Sequence, residues 1–176
     1  EITTRLRELG IPHGKFSVQV EKIDGQPSAH GDNDIEFLVT ANPDLPAKPL
    51  KKVASGGELS RISLAIQVAT TGSSGIPVLV FDEVDTGVGG ATADVVSEYL
   101  RTLAEQRQIL CITHLPQVAS AGDHHFSIGK IVAGGITETT IRDLEPDQRI
   151  EEVARMLGGQ RVTEKAREHA RELLAH

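Results

Sequence analysis

Apolar positions along this chain change their spacing several times, and each change predicts an element. Ile2, Leu6 and Leu9 fall on one helical face and the pattern stops at Gly10, so a helix ending at a glycine breaker is expected there. The spacing then shortens. Phe16-Ser-Val-Gln-Val-Glu-Lys-Ile23 alternates apolar with polar, as a half-buried strand does, and runs into the turn pair Asp24-Gly25. A second strand over 34–41 is expected to pair with it across a loop too long for a tight hairpin. Three prolines between Asn42 and Pro49 read as an extended connection.

Helical spacing returns after Val53-Ala-Ser-Gly-Gly-Glu-Leu-Ser-Arg61, with Leu59, Ile62, Ile66 and Ala69 on one face, and fades in the polar loop Thr70-Thr-Gly-Ser-Ser-Gly75. Ile76-Pro-Val-Leu-Val-Phe81 is an apolar run expected of a strand buried on both faces, and it ends abruptly in Asp82 and Glu83. After the glycine-rich Thr86-Gly-Val-Gly-Gly90, a helix over 91–104 carries Ala93, Val96, Leu100 and Leu103 on one face. Ile109-Leu-Cys-Ile-Thr-His114 then repeats the apolar strand with a polar tip. Strand, helix and strand of these lengths make a crossover unit with parallel strands, which puts Glu83 and His114 on one rim, where ligands of open α/β sheets bind. Segments 125–132 and 136–144 flank Gly134-Gly135 and read as an antiparallel hairpin. A helix over 151–157 closes at Gly158-Gly159, and a last helix over 162–174 reads as a solvated outer face.

Composition agrees with an α/β unit. Of 176 residues 39% are hydrophobic and 3% aromatic, so the core must come from Ile, Val, Leu and Ala, the filling of parallel sheets flanked by helices. We expect one compact unit. The net charge of -7 gives no basic footprint for autonomous DNA or RNA binding. Cys111 is the sole cysteine and lies in an apolar run, which excludes a disulfide framework and a cysteine metal centre and suits a reducing compartment. No apolar stretch approaches the roughly 18 residues of a membrane span, and no signal-peptide pattern opens the chain. A start at Glu1 is what a piece of a longer protein would show.

The chemistry concentrates at two places. Ser55 and Glu58 have the spacing of a capping box, in which Ser55 accepts from the Glu58 amide and Glu58 reaches back to the Ser55 amide. Gly56 and Gly57 would sit in the first turn, each at a cost of about 1 kcal/mol against alanine that capping does not require. Bare first-turn amides at the positive end of a helix suit a phosphate; without a ligand, the same stretch is a well-capped core helix. Asp82 and Glu83, adjacent at a strand tip, point in different directions and can divide the labour between holding Mg²⁺ and orienting a water; the bland reading is an acidic turn. His114 alone reads equally as a structural histidine.

Taken together these residues carry a resemblance. Ser55-Gly-Gly-Glu58 resembles the signature motif of the ATP-binding cassette superfamily, Val78-Leu-Val-Phe-Asp-Glu83 its Walker B strand, and His114 its switch histidine. The longer texts Pro49 to Arg61, Phe81 to Gly90 and Thr113-His-Leu-Pro-Gln-Val-Ala119 look like a bacterial DNA-repair branch of its structural-maintenance-of-chromosomes-like members. The resemblance implies an α/β ATPase head half with a mostly parallel sheet flanked by helices and an antiparallel hairpin portion, residues 1–10 ending a coiled-coil helix and 11–176 forming the head half. It implies ATP and Mg²⁺ as cofactors, with Asp82 supporting Mg²⁺ directly or through a water, Glu83 as catalytic base and His114 at the γ-phosphate. Ser55, Gly56, Gly57 and Glu58 would reach a nucleotide held by a second head. The implied partners are the amino-terminal half of the same head, a second head in a homodimer, and DNA through the full-length protein, with no membrane. The implied setting is double-strand-break repair and recombination in the bacterial cytoplasm, at the nucleoid.

Two features depart from the superfamily pattern. Its D-loop often carries an Asp seven positions after the Walker B Asp, where this chain has Gly89; Asp85, Gly87 and Gly89 are the D-loop candidates. No G-x-x-x-x-G-K-[ST] occurs, and the Gly-Lys pairs at 14–15 and 129–130 lack its pattern. In structural-maintenance-of-chromosomes-like members that loop lies in the amino-terminal half of the head, across the coiled coil. A non-catalytic dimerisation module and the ATPase subunit of a transporter stay open as alternatives.

Overall fold

A computed structural model describes residues 1–23, 29, 31–41, 44, 46–71, 75–133, 136–159 and 161–175. They form two compact units, Glu1–Ile112 and Thr113–His176, where the sequence suggests one. The expected turn pairs Asp24-Gly25 and Gly134-Gly135 lie outside the described residues.

The first unit opens with α1 (Ile2–Glu8), which buries Leu6 and Leu9 and stops at Gly10, whose φ of +80° lets the chain turn away. Strands β1 (Lys15–Lys22) and β2 (Asn33–Thr40) pair antiparallel, with Phe16 opposite Val39, Val18 opposite Phe37 and Val20 opposite Ile35. Alternation puts all six on one face. Burial along that face falls from Val39, which is buried, to Val18, Val20 and Ile35, which are exposed. A two-residue β3 (Lys48–Pro49) joins the other edge of β2. The chain then enters α2 (Gly56–Ala69).

Strand β4 (Val78–Phe81), helix α3 (Ala91–Ala104) and strand β5 (Gln108–Cys111) form the expected crossover, with β4 and β5 parallel and Val78 to Phe81 registered on Gln108 to Cys111. Helix α3 buries the face read from its spacing: Ala93, Val96, Leu100 and Leu103. The α/β class is therefore what the structure shows, with parallel pairing in β4 and β5 and antiparallel pairing in the other sheets.

Two expectations need correction. The buried stripe of α2 is Gly57, Arg61, Ile62, Leu64, Ala65 and Val68, while Leu59, placed by spacing on the core face, is 39% exposed. The helix is turned so that Gly57 and Arg61 meet the loop after β4. Strand β4 is not buried on both faces: Phe81 is buried, but Val78, Val80, Leu110 and Ile112 are exposed, Val80 at 63%. With two strands and α3 in this part of the unit, no described element of the unit covers the second face.

The second unit holds a short α4 (Pro116–Ser120), which apolar spacing did not predict, and the expected antiparallel pair β6 (Phe126–Ala133) and β7 (Ile136–Asp143), with Ile128 opposite Ile141. Helix α5 (Pro146–Gly158) begins before the expected Glu151 because Pro146 fits the first turn and Glu145 forms a reciprocal capping box with Gln148. It packs on α6 (Glu164–Leu174) through Val153, Ala154 and Ala170. The rest of α6 is largely exposed, as expected, and Arg167 donates to Glu151 at 2.7 Å across the pair.

His125, just before β6, is half-buried and its Nδ1 has no hydrogen-bond partner among the described residues. Burial, reinforced by Arg149, holds its pKa below the ordinary 6.5, against the weaker pull of Glu152. The unfolded chain therefore takes up this proton at higher pH than the folded one. The contribution of His125 is fully present above pH 6.5 and is lost as pH falls through 6.5 towards the folded value. Urea midpoints should decline between pH 7.5 and 5.5, roughly the range of an ordinary histidine titration, and decline less steeply in His125→Phe. Parallel slopes for the two proteins would contradict this assignment.

Candidate functional site

The start of α2 and the turn after β4 meet within the first unit. Ser55, extended at φ -93° and ψ 120°, caps the helix by accepting from the Glu58 amide at 3.3 Å. The reciprocal bond from the Ser55 amide to Glu58 is not formed, so half of the expected capping box is present. The Glu58 charge acts on Arg61 instead.

Both glycines stand against the chain's own turn after β4, Gly57 against backbone and Gly56 against a flexible side chain. A Cβ on Gly57 would stand 3.0 Å from the Thr86 carbonyl oxygen, 3.1 Å from the Thr86 Cβ and 3.2 Å from Arg61 Nη1. A Cβ on Gly56 would collide with Oε2 of Glu83. The bare first turn, suited by its free amides to an approaching ligand, also admits the turn that follows β4.

That turn is built around an inward residue and an outward one. Val84 is completely buried, while Asp82 and Glu83 are exposed. Glu83 has φ +57° and is the one non-glycine residue at positive φ among the described residues, a conformation that costs about 1–2 kcal/mol. Ser60 Oγ donates to the Asp82 carbonyl at 2.6 Å and Arg61 Nη1 donates to the Thr86 carbonyl at 2.7 Å. The Thr86 amide donates to the Glu83 carbonyl at 3.1 Å and the Val88 amide to the Asp85 carbonyl at 3.3 Å. Asp85 is 1% exposed, while Gly87, at φ +74°, and Gly89 are exposed.

Ser60 and Arg61 were given no role by the sequence reading. The signal available was Arg61 four residues after Gly57, on the same helix face. The residue is 6% exposed, and burial lowers its pKa against the opposing pull of Glu58. The Cys111 thiol is pushed up to about 12, first by burial and then by the charges of Asp85 and Asp82, so it is not a nucleophile at neutral pH.

The parallel pairing of β4 and β5 places the carboxyl ends of both strands at one edge, beside Asp82 and Glu83. His114 is exposed and belongs to the second unit. No group of three or more His, Cys, Asp or Glu side chains able to hold a metal is found among the described residues. The exposed Asp82 and Glu83 do fit Mg²⁺ arriving with a nucleotide, because such an ion takes one or two protein carboxylates and fills its other positions with phosphate oxygens and water. No helix among the described residues is long and apolar enough to cross a membrane.

No protein-family model matches the chain. It is 49% identical over 173 residues, 98% of its length, to a DNA repair protein RecN of Xylella fastidiosa (strain 9a5c). Against proteins of the same name it is 47% identical over 173 residues in Vibrio cholerae serotype O1 and 47% identical over 170 residues in Deinococcus radiodurans, 98% and 97% of the chain. It spans 31%, 31% and 29% of these three relatives, about a third of their length. Among solved structures it is similar to an Smc head domain with a coiled coil and joint from Pyrococcus yayanosii, at TM-score 0.59 and 19% identity, over 86% of this chain and 27% of that one. It is also similar to an Smc head domain with an extended coiled coil from Pyrococcus furiosus, bound to the C-terminal domain of ScpA, at TM-score 0.55 and 21% identity, over 88% of this chain and 36% of that one.

The two glycines should respond differently to a methyl group. In Gly56→Ala the clash is with the end of a flexible carboxylate, which can swing aside, and the stability should change by no more than about 1 kcal/mol. In Gly57→Ala the neighbours include backbone, and a loss of about 1–3 kcal/mol is expected. Urea unfolding of the two variants measures the order; Gly56→Ala as the costlier change would contradict the packing of α2 on the 82–86 turn.

Proposed function

We propose that this chain, RecN-like in sequence and Smc-head-like in fold, is the carboxyl-terminal half of the ATPase head of a DNA repair protein. Residues 11–176 form the head half and 1–10 end a coiled-coil helix. The observation that carries the reading is the seating of the Ser55-Gly-Gly-Glu58 helix start against the Asp82-Glu83 strand tip within one unit. Gly57 admits the Thr86 backbone, and Gly56 leaves the helix start open to the exposed Glu83 carboxylate, an arrangement that a capped core helix alone does not call for.

Each residue then has a task. Glu83 accepts the proton of the water that attacks the terminal phosphate, and Asp82 supports Mg²⁺, directly or through a water. Bound Mg²⁺ would screen the phosphate charges. His114 contacts the γ-phosphate. The Ser55 hydroxyl and the amides of Gly56 and Gly57 donate to a nucleotide held by a second head, at the positive end of α2, with Glu58 completing the same turn beside it. Gly87 and Gly89 present backbone to that second head, and the buried Asp85 shapes the D-loop turn from within.

The chain lacks a phosphate loop, and the exposed apolar face of Val78, Val80, Leu110 and Ile112 calls for a cover. Both needs are met by the amino-terminal half of the same head, and the relatives do extend well beyond the third that this chain spans. In the whole protein, ATP-driven pairing of two heads in a homodimer would serve DNA double-strand-break repair and recombination in the bacterial cytoplasm, at the nucleoid. Its net charge of -7 gives no basic footprint for autonomous DNA binding, so DNA is engaged through the full-length protein.

The chain by itself should neither bind ATP measurably nor hydrolyse it. Adding the amino-terminal head half should give Mg²⁺-dependent hydrolysis whose specific rate rises with protein concentration, because two heads complete each site. In the reconstituted head Glu83→Gln should keep ATP binding and slow turnover by roughly 10²–10⁴-fold. Turnover unaffected by Glu83→Gln removes Glu83 as base, and a reconstituted head without hydrolysis favours a dimerisation module.

A further inference from the structure

We infer that Arg61 is a positioning residue that clamps the Glu83 turn to the start of α2, so that whatever occupies the helix start sets the pose of the carboxylate in the same chain. The inference rests on the ATPase reading above and assigns a regulation of that same site.

Arginine is an expensive choice for this place. A charged side chain is seldom fully buried without a paired carboxylate, yet Arg61 is buried, its Nε has no hydrogen-bond partner among the described residues, and Nη1 donates to the carbonyl oxygen of Thr86. A leucine or methionine would fill the space without that cost. What arginine adds is reach and direction: a planar donor, extended beneath the first turn at the level of Gly57, that fixes the carbonyl of one residue.

That carbonyl belongs to the turn that carries Glu83. The Thr86 amide donates back to the Glu83 carbonyl, so the residue gripped by Arg61 closes the turn on Glu83. The preceding helix residue, Ser60, holds the other end by donating to the Asp82 carbonyl. Adjacent residues of α2 thus grip residues 82 and 86, the buried Val84 pins the middle, and Glu83 is left at φ +57° with its carboxylate against Gly56. A phosphate that arrives at the helix start competes with that carboxylate for the space beside Gly56. Because both ends of the turn are held to α2, the displaced side chain takes a new pose while the turn stays closed, and ordering of the helix start is passed to residues 82–86. Occupancy in one half-site is thereby reported to the base of the other.

The test uses the full-length protein, with the Mg²⁺ complex of adenylyl imidodiphosphate as probe, and follows hydrogen exchange of peptides covering 55–60 and 82–90 alongside steady-state hydrolysis. In the wild type the probe should slow exchange in both segments. In Arg61→Met it should still slow exchange in 55–60 but not in 82–90, with kcat lowered at least tenfold and KM for ATP within twofold. Arg61→Lys, which retains one donor, should return kcat to within threefold of wild type. Should Arg61→Met fail to fold, Ser60→Ala removes the other grip at a partly exposed position and is read in the same way. Protection of 82–90 that persists in the variant with kcat unchanged overturns the inference. So does equal loss in both segments, which marks Arg61 as merely structural. A wild type in which the probe affects neither segment overturns the ATPase reading itself.

Discussion

The close approach of the first turn of α2 to the turn after β4 is the constraint from which the site follows. It favours a bare residue 57, whose Cβ would meet the Thr86 backbone, and it sets the Glu83 carboxylate against Gly56. It turns α2 about its axis until Gly57, Arg61, Leu64 and Val68 face inward, leaving Leu59 outside. It also gives the two carbonyls at the ends of the turn, those of Asp82 and Thr86, their donors from Ser60 and Arg61. With the backbone carbonyls so engaged, the side chains of Asp82 and Glu83 are free to face solvent.

The sheets look like parts of something larger. A strand pair with α3 on one side satisfies the hydrogen bonds between β4 and β5 but leaves Val78, Val80, Leu110 and Ile112 facing out. Each of these would contribute about 1.5–3 kcal/mol on full burial, an advantage that the described residues realise only in part. The face of β1 and β2 thins in the same way, from buried Val39 to exposed Val20 and Ile35. Apolar faces of this kind mark places where another body belongs. The chain spans about a third of the length of the relatives it matches.

How much was legible depended on where the information lay. Helix α3 was read with its ends and its buried face because Ala93, Val96, Leu100 and Leu103 repeat at helical spacing and the core takes all four. The parallel pairing of β4 and β5 was legible because a strand, a helix and a strand of these lengths admit little else. The face of α2 was misjudged because spacing counts apolar residues, and here a glycine and an arginine are inside while a leucine is outside. The double burial of β4 was misjudged because an apolar run reports what the strand is built to face, not what this length of chain supplies. Helix α4, at five residues, is shorter than any window that reveals a period, and the start of α5 was hidden because its capping box uses Glu145 rather than a serine or threonine. The motif residues were legible as motifs; that Glu83 touches Gly56 was not, because a ligand already sufficed to explain the glycines.

The pose of Glu83 shows which forces hold the site. Its carboxylate lies by the positive end of α2, where an exposed negative charge gains about 0.3–1 kcal/mol. Its backbone, at φ +57°, costs about 1–2 kcal/mol. The helix end therefore does not by itself keep the residue in this conformation. The balance is tipped by burial of Val84, the next residue, worth about 1.5–3 kcal/mol when complete, and by the bonds that Ser60 and Arg61 make to the ends of the turn. The backbone is thus held by packing and hydrogen bonds that do not involve the carboxylate, while the carboxylate is held by the weakest of these contributions. A side chain so placed can leave the helix end at small cost while Ser60, Arg61 and Val84 keep the turn closed.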